Sequence, residues 1–393
     1  MANRRNSESA PATAHRDAVN ADIEVLRGIA VLLVVVCHIA TQLVSWPGRA
    51  HALLEPLRFW GGVDLFFAIS GFVIASSLLR EPRPEKFRDL ATPFYIRRIF
   101  RIWPVALLWL LVPVLAAHFF NSSGVFGHTR FEIKDATAAA LQVANAYFVV
   151  CHHDCGKESV YWSLSLEEQF YLLFPLLLFW MRPKHLWWLL VGIVLVQFFI
   201  PRPVESGLWF FRTDAISLGV LIALARHHGI ASRLPSVLAA WPRWSLLLPL
   251  ALLAAICAVS AESTMRPAVG VLALLSAACV WLASFDANLV VPWKPARNGL
   301  MWLGSRSFAV YLTHVPCFWA TRELFHRLYP HTEPDDRFAL PYLLVALSLI
   351  AVTSEASYRL LETPLRERGR GLAARWRKAR AARAIATSIA TDH

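Results

Sequence analysis

The chain has 393 residues, of which 56% are hydrophobic and 17% charged, with 16 tryptophans and 24 phenylalanines. An average globular protein is about 25% charged and 45–50% apolar, so a soluble fold of this composition would expose long apolar runs and aggregate. Six cysteines are too few for a disulfide scaffold. The net charge of +12 would indicate nucleic acid or acidic lipid as a partner of a soluble protein, so its meaning depends on where the charges lie.

Ten apolar segments are candidates to cross a bilayer, whose hydrocarbon core of about 30 Å requires roughly 20 residues of helix. In chain order they are 24–44, 62–80, 101–120, 162–181, 186–201, 208–225, 244–260, 267–285, 299–320 and 338–359. A shorter apolar stretch at 136–150 has polar flanks, and we expect a re-entrant or interfacial helix there. The sequence therefore predicts an all-α fold, a polytopic membrane helix bundle with about ten transmembrane helices.

The distribution of lysine and arginine predicts the orientation, because cytoplasmic loops carry an excess of both. With both termini in the cytoplasm, 27 of the 39 basic residues fall on that side. This orientation divides the chain into an N-terminal cytoplasmic tail at 1–22, a membrane domain at 23–362 and a basic C-terminal cytoplasmic tail at 363–393. We expect the last tail to form at most a short surface helix that sets the topology or attracts anionic lipid. The charge therefore gives no support for nucleic-acid binding.

Ionisable residues inside the spans are costly in lipid and mark functional or paired groups. By depth they form two layers. The cytoplasmic layer contains Glu24, Arg27, Arg97, Arg98, Arg101, Arg306, Glu355, Arg359 and Glu362. The outer layer contains His38, Asp64, Glu167, Glu168, Arg212, Asp214 and His314. Since the outer residues come from five spans and converge on one depth, they predict a polar cavity that opens outward above a basic cytosolic mouth.

The first span carries the most informative spacing. Arg27 and His38 are eleven residues apart, which is close to three helical turns, so both lie on one face about 16 Å apart along the axis. An anionic cofactor could anchor at the arginine and react near the histidine. The alternative for His38 is a structural histidine whose hydrogen bonds are satisfied within the bundle.

Two further pairs of charged residues lie next to the spans. Arg98 and Arg101 share a helix face at the start of the third span, where guanidinium groups suit phosphates; the alternative is ordinary positive-inside anchoring. Glu167 and Glu168 enter the fourth span, and a purely structural role beside the helix dipole is one interpretation. Because adjacent positions point in different directions, we expect one glutamate to face the cavity and the other a structural partner.

The segment at 151–155, Cys-His-His-Asp-Cys, contains the residue types of a metal cluster. Its predicted extracytoplasmic position favours a disulfide, free thiols or a plain loop instead. We therefore predict no metal site.

The motifs together resemble the acyltransferase-3 family of integral membrane acyltransferases. The matching segments are 26–30 with His38, 62–72, 97–104, 162–171, 211–219, 303–316 and 358–364. The resemblance covers residues 22–366 in order, and it implies ten spans. The family's Arg-x10-His motif falls on Arg27 and His38, and its Arg-x-x-Arg motif falls on Arg98 and Arg101. Some members carry an additional extracytoplasmic hydrolase-like domain, which we do not expect in this chain.

The resemblance implies an integral membrane O-acyltransferase of the bacterial inner membrane. It would move an acyl group, by default acetyl, from cytosolic acyl-CoA to a hydroxyl of an extracytoplasmic glycan or lipid-linked sugar, with no permanently bound cofactor. The donor phosphates would be held by Arg27, Arg98 and Arg101. His38 would act as general base or as acyl carrier. Other groups of the outer layer would orient its imidazole or bind sugar hydroxyls: Asp64, Glu167, Glu168 and His314.

Two rival functions use the same residues. A proton-coupled transporter or exporter would employ the intramembrane histidines and carboxylates as a relay, but the sequence contains no internal repeat of the transporter type. A structural membrane subunit would not need a layer of ionisable groups at one depth. Labelled acetyl-CoA supplied to membranes separates these functions, because only an acyltransferase moves label to a sugar.

Overall fold

The computed structural model describes residues 20–391 apart from 58, 82–83, 152–154, 157–159, 204–205, 231–232, 241 and 262–266. The described residues are mostly helical and contain no strand. Five helical segments are long and apolar enough to cross a membrane: Ala21–Leu43, Arg49–Leu79, Phe87–Phe119, Gly207–His227 and Asp336–Ala382. Shorter apolar helices are Pro183–Phe199, Leu247–Ala261 and Ala268–Ala283. This is the architecture predicted for a membrane helix bundle; the number of spans and the side of the termini stay predictions.

The first half of the chain contains eight of the described α-helices. They are α1 (Ala21–His38), α2 (Arg49–Leu54), α3 (Gly61–Leu79), α4 (Phe87–Phe119), α5 (Thr129–Ala140), α6 (Ala144–Val150), α7 (Tyr161–Trp180) and α8 (Pro183–Phe199). Helix α1 continues into a π-helical segment, Ile39–Leu43. Helix α4 begins well before the predicted span at 101, and the stretch at 136–150 forms parts of two separate helices.

The second half of the described chain forms the remaining helices. They are α9 (Asp214–His227), α10 (Leu234–Ala239), α11 (Pro242–Ala261), α12 (Ala268–Ala283), α13 (Lys294–Ser305), α14 (Ser307–Leu328), α15 (Asp336–Ser357) and α16 (Thr363–Thr391). The predicted span at 299–320 is interrupted at Arg306, where α13 ends and α14 begins. A second π-helical segment, Tyr358–Glu362, joins α15 to α16.

Glycines allow close helix crossings in the bundle. A Cβ atom on Gly71 of α3 or on Gly219 of α9 would overlap a backbone carbonyl oxygen of the facing helix. Where α1 crosses α13, a Cβ atom on Gly28 or on Gly304 would likewise overlap a backbone carbonyl oxygen of the other helix. Small residues let helix backbones approach in this way in membrane proteins. All four glycines belong to segments that carry the family resemblance. Helix packing therefore explains why these positions of the motifs are glycine.

The C-terminal segment departs from the prediction. It is a long helix, α16, that packs along α4, so the expectation of at most a short surface helix is wrong. A Cβ on Gly369 would lie 2.7 Å from the Cβ of Phe100, and Ala373 is buried. Arg380 forms an ion pair with Asp89 near the start of α4, at 2.8 Å. The small residues bring α16 against α4, and the ion pair holds its far end.

Glu323, three residues beyond the predicted span at 299–320, anchors the turn that follows α4. Its carboxylate accepts hydrogen bonds from the backbone N–H of Ser122 at 2.7 Å and from the backbone and side chain of Ser123. Arg327 donates to it from the next turn of α14, at 2.7 Å. Burial opposes the ionised form, but these hydrogen bonds outweigh it and lower the pKa of Glu323 to about 2.

Candidate active site

A cavity of about 860 Å³ lies between α1, α3, α4, α7, α14 and α16. Its charged lining is mostly basic. The arginines are Arg27, Arg80, Arg97, Arg98, Arg101, Arg366, Arg370 and Arg377, and the acids are Glu24, Glu81 and Glu167. Arginine binds phosphates through a planar fork of donors. This excess of positive charge suits a ligand that carries several phosphate groups.

The three arginines predicted to hold a donor come together in this cavity. Arg27 projects from α1 and is paired with Glu24 at 3.0 Å. Arg98 and Arg101 lie one turn apart on α4, and both line the same space. Arg101 interacts electrostatically with Arg27, Arg98 and the buried carboxylate of Glu362. The cluster therefore joins two helices that are distant in sequence.

Arg98 is also held by aromatic rings. Its guanidinium carbon lies 5.2 Å from the ring centroid of Tyr171 on α7 and 5.7 Å from that of Phe94, one turn earlier on α4. A cation over an aromatic face is attracted by the ring quadrupole. These contacts aim the side chain into the cavity while leaving its N–H donors available for a ligand.

The adjacent glutamates of α7 have different surroundings. Glu167 lines the cavity and accepts hydrogen bonds from the hydroxyls of Ser70 and Tyr171, each at 2.9 Å. Glu168 accepts a hydrogen bond from the indole Nε1 of Trp103 on α4, at 3.1 Å. The structure thus places Glu167 at the cavity surface and Glu168 against a tryptophan of the neighbouring helix.

Tyr311 of α14 forms the inner end of the cavity. Its hydroxyl donates to the carbonyl oxygen of Val160 at 3.0 Å and shares a 2.6 Å hydrogen bond with the hydroxyl of Ser163. Its ring centroid lies 6.0 Å from that of Phe66 and 5.8 Å from that of His314. Tyr311 therefore touches the basic cavity and a histidine at the same time.

His38 and His314 form a pair next to Tyr311. Nδ1 of His38 lies 2.9 Å from the carbonyl oxygen of Val34 and 3.3 Å from Nε2 of His314. Nδ1 of His314 lies 2.7 Å from the carbonyl oxygen of Tyr311. Since a carbonyl oxygen only accepts, the hydrogen-bond pattern assigns a proton to Nδ1 of each neutral ring. This assignment leaves a lone pair on Nε2 of both rings, and Nε2 of His314 is a second, longer acceptor for the Nδ1–H that His38 donates to Val34.

The backbone around His38 is unusual as well. His38 is the last residue of α1, and the π-helical turn begins at the next residue. Such π-bulges are rare and occur frequently at functional sites. The widened turn sets the direction in which the imidazole leaves the helix.

Asp64 occupies a different environment from the one predicted. Its carboxylate pairs with Arg212 at 3.1 Å, and both side chains have an exposed fraction of 0%. The guanidinium of Arg212 lies over the rings of Trp209, Trp162 and Trp60, between 4.1 and 5.4 Å from their centroids. The structure therefore gives Asp64 the geometry of a counter-ion to a buried arginine.

The seven residues predicted for one outer layer thus divide into separate groups. Glu167 lines the cavity, and Glu168 faces Trp103. His38 and His314 contact each other, whereas Asp64 and Asp214 neutralise Arg212 and Arg202. The last pair is also buried, with a 2.5 Å contact between Nη2 of Arg202 and Oδ2 of Asp214. Equal depth did not mean a shared cavity.

The sequence prediction did not assign a site role to several residues that the cavity contains. They are Ser70, Tyr171, Tyr311, Arg366 and Arg370. One signal was available for Tyr171, which follows Glu167 by four residues and therefore lies on the same helix face. The tail arginines also recur at helical spacing, but a basic tail is expected from topology alone.

Cys151 and Cys155 form a disulfide, one of the alternatives left open for this segment. Residues 152–154 lie outside the described residues. Among those that are described, no group of histidine, cysteine and carboxylate residues could hold a metal ion. A disulfide is typical of an oxidising compartment, in keeping with the predicted extracytoplasmic position of this loop.

Comparison with known proteins identifies the family. A family model described as an acyltransferase domain matches residues 20–354. The chain belongs to the acyltransferase-3 family. Every predicted site residue lies inside the matched region, whereas α16 lies outside it.

Several curated relatives align with most of this chain. The peptidoglycan O-acetyltransferase OatA of Listeria monocytogenes is 27% identical over 387 residues, and the match covers 88% of this chain and 56% of the relative. A putative O-acetyltransferase of Staphylococcus aureus is 26% identical, and the O-acetyltransferase OatA of that species is 24% identical. In both cases the match covers 88% of this chain and 57% of the relative. The chain thus spans somewhat more than half the length of these relatives. No solved structure matches it significantly.

Proposed function

We propose that this chain is an integral membrane O-acyltransferase that transfers an acetyl group from acetyl-CoA to a hydroxyl of an extracytoplasmic glycan. One observation carries the proposal: Tyr311 joins an arginine-lined cavity to the His38–His314 pair. This arrangement supports a reaction between a phosphate-rich donor in the cavity and a base for acyl transfer beside it. The names of the relatives support the same chemistry. The bacterial inner membrane is the proposed location.

The donor enters the basic cavity from the cytosolic side. Arg27, Arg98 and Arg101 bind the phosphates of CoA through charge-assisted hydrogen bonds, which are the strong ones in proteins. The pantetheine arm then extends past Ser70 and Glu167 towards Tyr311. Because Phe66, Phe67 and Phe308 also line the cavity, the uncharged thioester end of the donor suits the part near Tyr311.

His38 acts as the general base at the inner end. Its Nε2 takes the proton of the acceptor hydroxyl while the hydroxyl oxygen attacks the thioester carbonyl. The carbon–sulfur bond breaks, and the CoA thiolate leaves and takes up the proton that His38 has removed from the hydroxyl. During this step His38 is an imidazolium whose Nδ1–H donates to the carbonyl oxygen of Val34, with Nε2 of His314 as a second and more distant acceptor. His314 is thus a positioning residue that holds one orientation of the catalytic ring.

A two-step route uses the same atoms. Nε2 of His38 attacks the thioester first, the carbon–sulfur bond breaks, and CoA leaves as a thiolate from an acyl-imidazole. The acceptor hydroxyl then attacks the acyl group, the imidazole leaves, and the hydroxyl proton goes to the thiolate. The routes differ in one observable. Protein incubated with labelled acetyl-CoA and no acceptor, then rapidly quenched, retains label in the two-step route and none in the direct one.

The first acceptor to test is peptidoglycan, because the Listeria relative is named for it. Lipid-linked sugars and surface polysaccharides present the same nucleophile, a sugar hydroxyl. Mass spectrometry of surface glycans from cells with and without the chain identifies the acceptor by a gain of acetyl groups.

The experiment for the activity compares His38→Ala with wild type in membranes supplied with labelled acetyl-CoA. We expect label in a glycan fraction with wild type and none with the variant, at equal amounts of protein in the membrane. His326→Ala is the matched control, since His326 is exposed on α14. Retained transfer by His38→Ala would overturn the central role of this residue. Movement of an unmodified glycan without acylation would instead favour a transporter.

A further inference from the structure

The C-terminal helix forms one wall of the basic cavity. Arg366, Arg370 and Arg377 line it from α16, and they recur at intervals of four and seven residues, so they lie on one helix face. Arg377 forms an ion pair with Glu81, two residues beyond the end of α3, at 2.5 Å. In the described residues the buried Nε of Arg366 has no hydrogen-bond partner. The face of α16 that meets the cavity therefore presents a cationic group prepared for a ligand.

Arg377 lies at the end of the cavity opposite Tyr311, beside Glu81, whereas Arg366 interacts electrostatically with Glu362, whose carboxylate also interacts with Arg101 and Arg27. Helix α3 runs along the cavity, with Phe66 beside Tyr311 at one end and Arg80 and Glu81 beside α16 at the other. Fourteen residues of helix separate Phe66 from Arg80, which is about 21 Å. The side chain of Arg377 is 41% exposed, so this end is the entrance.

The two ends match the two ends of a CoA thioester. CoA carries the acyl group at the tip of a long pantetheine arm, and its adenosine carries a 3′-phosphate at the opposite end. When the thioester lies near Tyr311 and the pyrophosphate lies near Arg98 and Arg101, the adenosine end reaches the entrance. The cationic groups available to a phosphomonoester there are the α16 arginines together with Arg80 and Arg97; of these, Arg97 and Arg377 contact Glu81.

We propose that Arg366 and Arg370 bind the ribose 3′-phosphate of the donor, so that α16 selects CoA thioesters over thioesters that lack this phosphate. This inference rests on the proposed function, since it assumes a CoA donor. It adds residues from a helix that lies outside the region matched by the family model. A lipid headgroup could offer phosphate to the same side chains, and the experiment separates the two sources.

The test measures binding to the full-length chain in phosphatidylcholine nanodiscs by isothermal titration calorimetry, with CoA and 3′-dephospho-CoA as probes. Wild type is expected to bind CoA roughly tenfold to hundredfold more tightly, since only CoA forms charge-assisted hydrogen bonds through a 3′-phosphate. In the double variant Arg366→Gln/Arg370→Gln, the ratio of the dissociation constants of 3′-dephospho-CoA and CoA falls towards one. The matched control is Arg368→Gln/Arg375→Gln, at two positions of the same helix that are not among the residues lining the cavity, and it keeps the preference of wild type.

Each outcome decides between the inference and the proposed function. If wild type prefers CoA and the first double variant keeps that preference, the inference is wrong while the CoA donor stands. Equal loss in the control pair would also overturn it, because the effect would then come from the net charge of α16. If wild type binds neither probe, the proposed donor itself fails. Nanodiscs with phosphatidylglycerol test the lipid source: loss of the preference for CoA only when this lipid is present would assign the arginines to the lipid and overturn the inference.

Discussion

The ion pair between Asp64 and Arg212 allows a structural role to be separated from a catalytic one. Its atoms lie 3.1 Å apart, and neither side chain is exposed. At that distance the Coulomb attraction is about 5 kcal/mol for an effective dielectric constant of about 20. Breaking a buried pair by removing one partner typically costs about 3–5 kcal/mol, because an uncompensated charge remains. Asp214 also interacts with Arg212 electrostatically, so we expect a loss near the lower end, about 3 kcal/mol.

The perturbation is Asp64→Asn, which keeps the shape of the side chain and leaves the arginine charge unpaired. The purified protein is heated in detergent to a series of temperatures. Size-exclusion chromatography then measures how much folded protein remains at each temperature. The double variant Asp64→Leu/Arg212→Met removes both charges and should recover most of the stability, because well-packed apolar residues often replace a buried pair without loss. Asp335→Asn is the control, since its ion pair with Arg337 is solvent-exposed and contributes little.

The result that refutes this reasoning is specific. If Asp64→Asn unfolds at the temperature of wild type but transfers no acetyl group, the carboxylate takes part in the chemistry. Asp64 would then belong with His38, as the sequence interpretation proposed.

The remaining predictions concern packing, donor binding and pH. Gly71→Ala places a Cβ on a backbone carbonyl and should strongly reduce the amount of folded protein, whereas Gly192→Ala, with open space around it, should be neutral in the same chromatography. Arg98→Ala should raise the KM for acetyl-CoA more than the KM for the acceptor, with exposed Arg88→Ala as control; equal effects on both would contradict donor binding. Because the pKa of Glu323 is lowered from 4.5 to about 2, its stabilisation is present above about pH 4.5 and is lost as the pH falls through about 2. Glu323→Gln should make the melting temperature depend less on pH over that interval. If the variant and wild type lose stability equally in acid, the hydrogen-bonded carboxylate is not the cause.

Features that depend on one helix were predictable from the sequence. The apolar runs mark the helices, because a bilayer requires continuous hydrophobic length. The placement of Arg98 and Arg101 on one face follows from the helical period alone, and both line the cavity. The family was recognisable as well, since its motifs are local strings in a fixed order.

Features that depend on how two helices meet were not predictable. Which of Glu167 and Glu168 faces the cavity depends on the rotation of α7 against its neighbours. Asp64 and Arg212 are 148 residues apart in sequence, so depth alone could not show that they pair. The same holds for α16, whose arginines resembled a topological signal until its small residues were seen to pack along α4.

The sequence by itself therefore determined the class of protein, the approximate helices and the chemical types available for a site. The tertiary structure decided which of those groups share a cavity. The physical reason is that hydrophobic period and charge distribution act along one helix, whereas pairing, burial and the contact of His38 with His314 are set by the rotation and crossing of helices. Those are determined by side-chain packing across the whole bundle, including glycine crossings between segments that are distant in sequence.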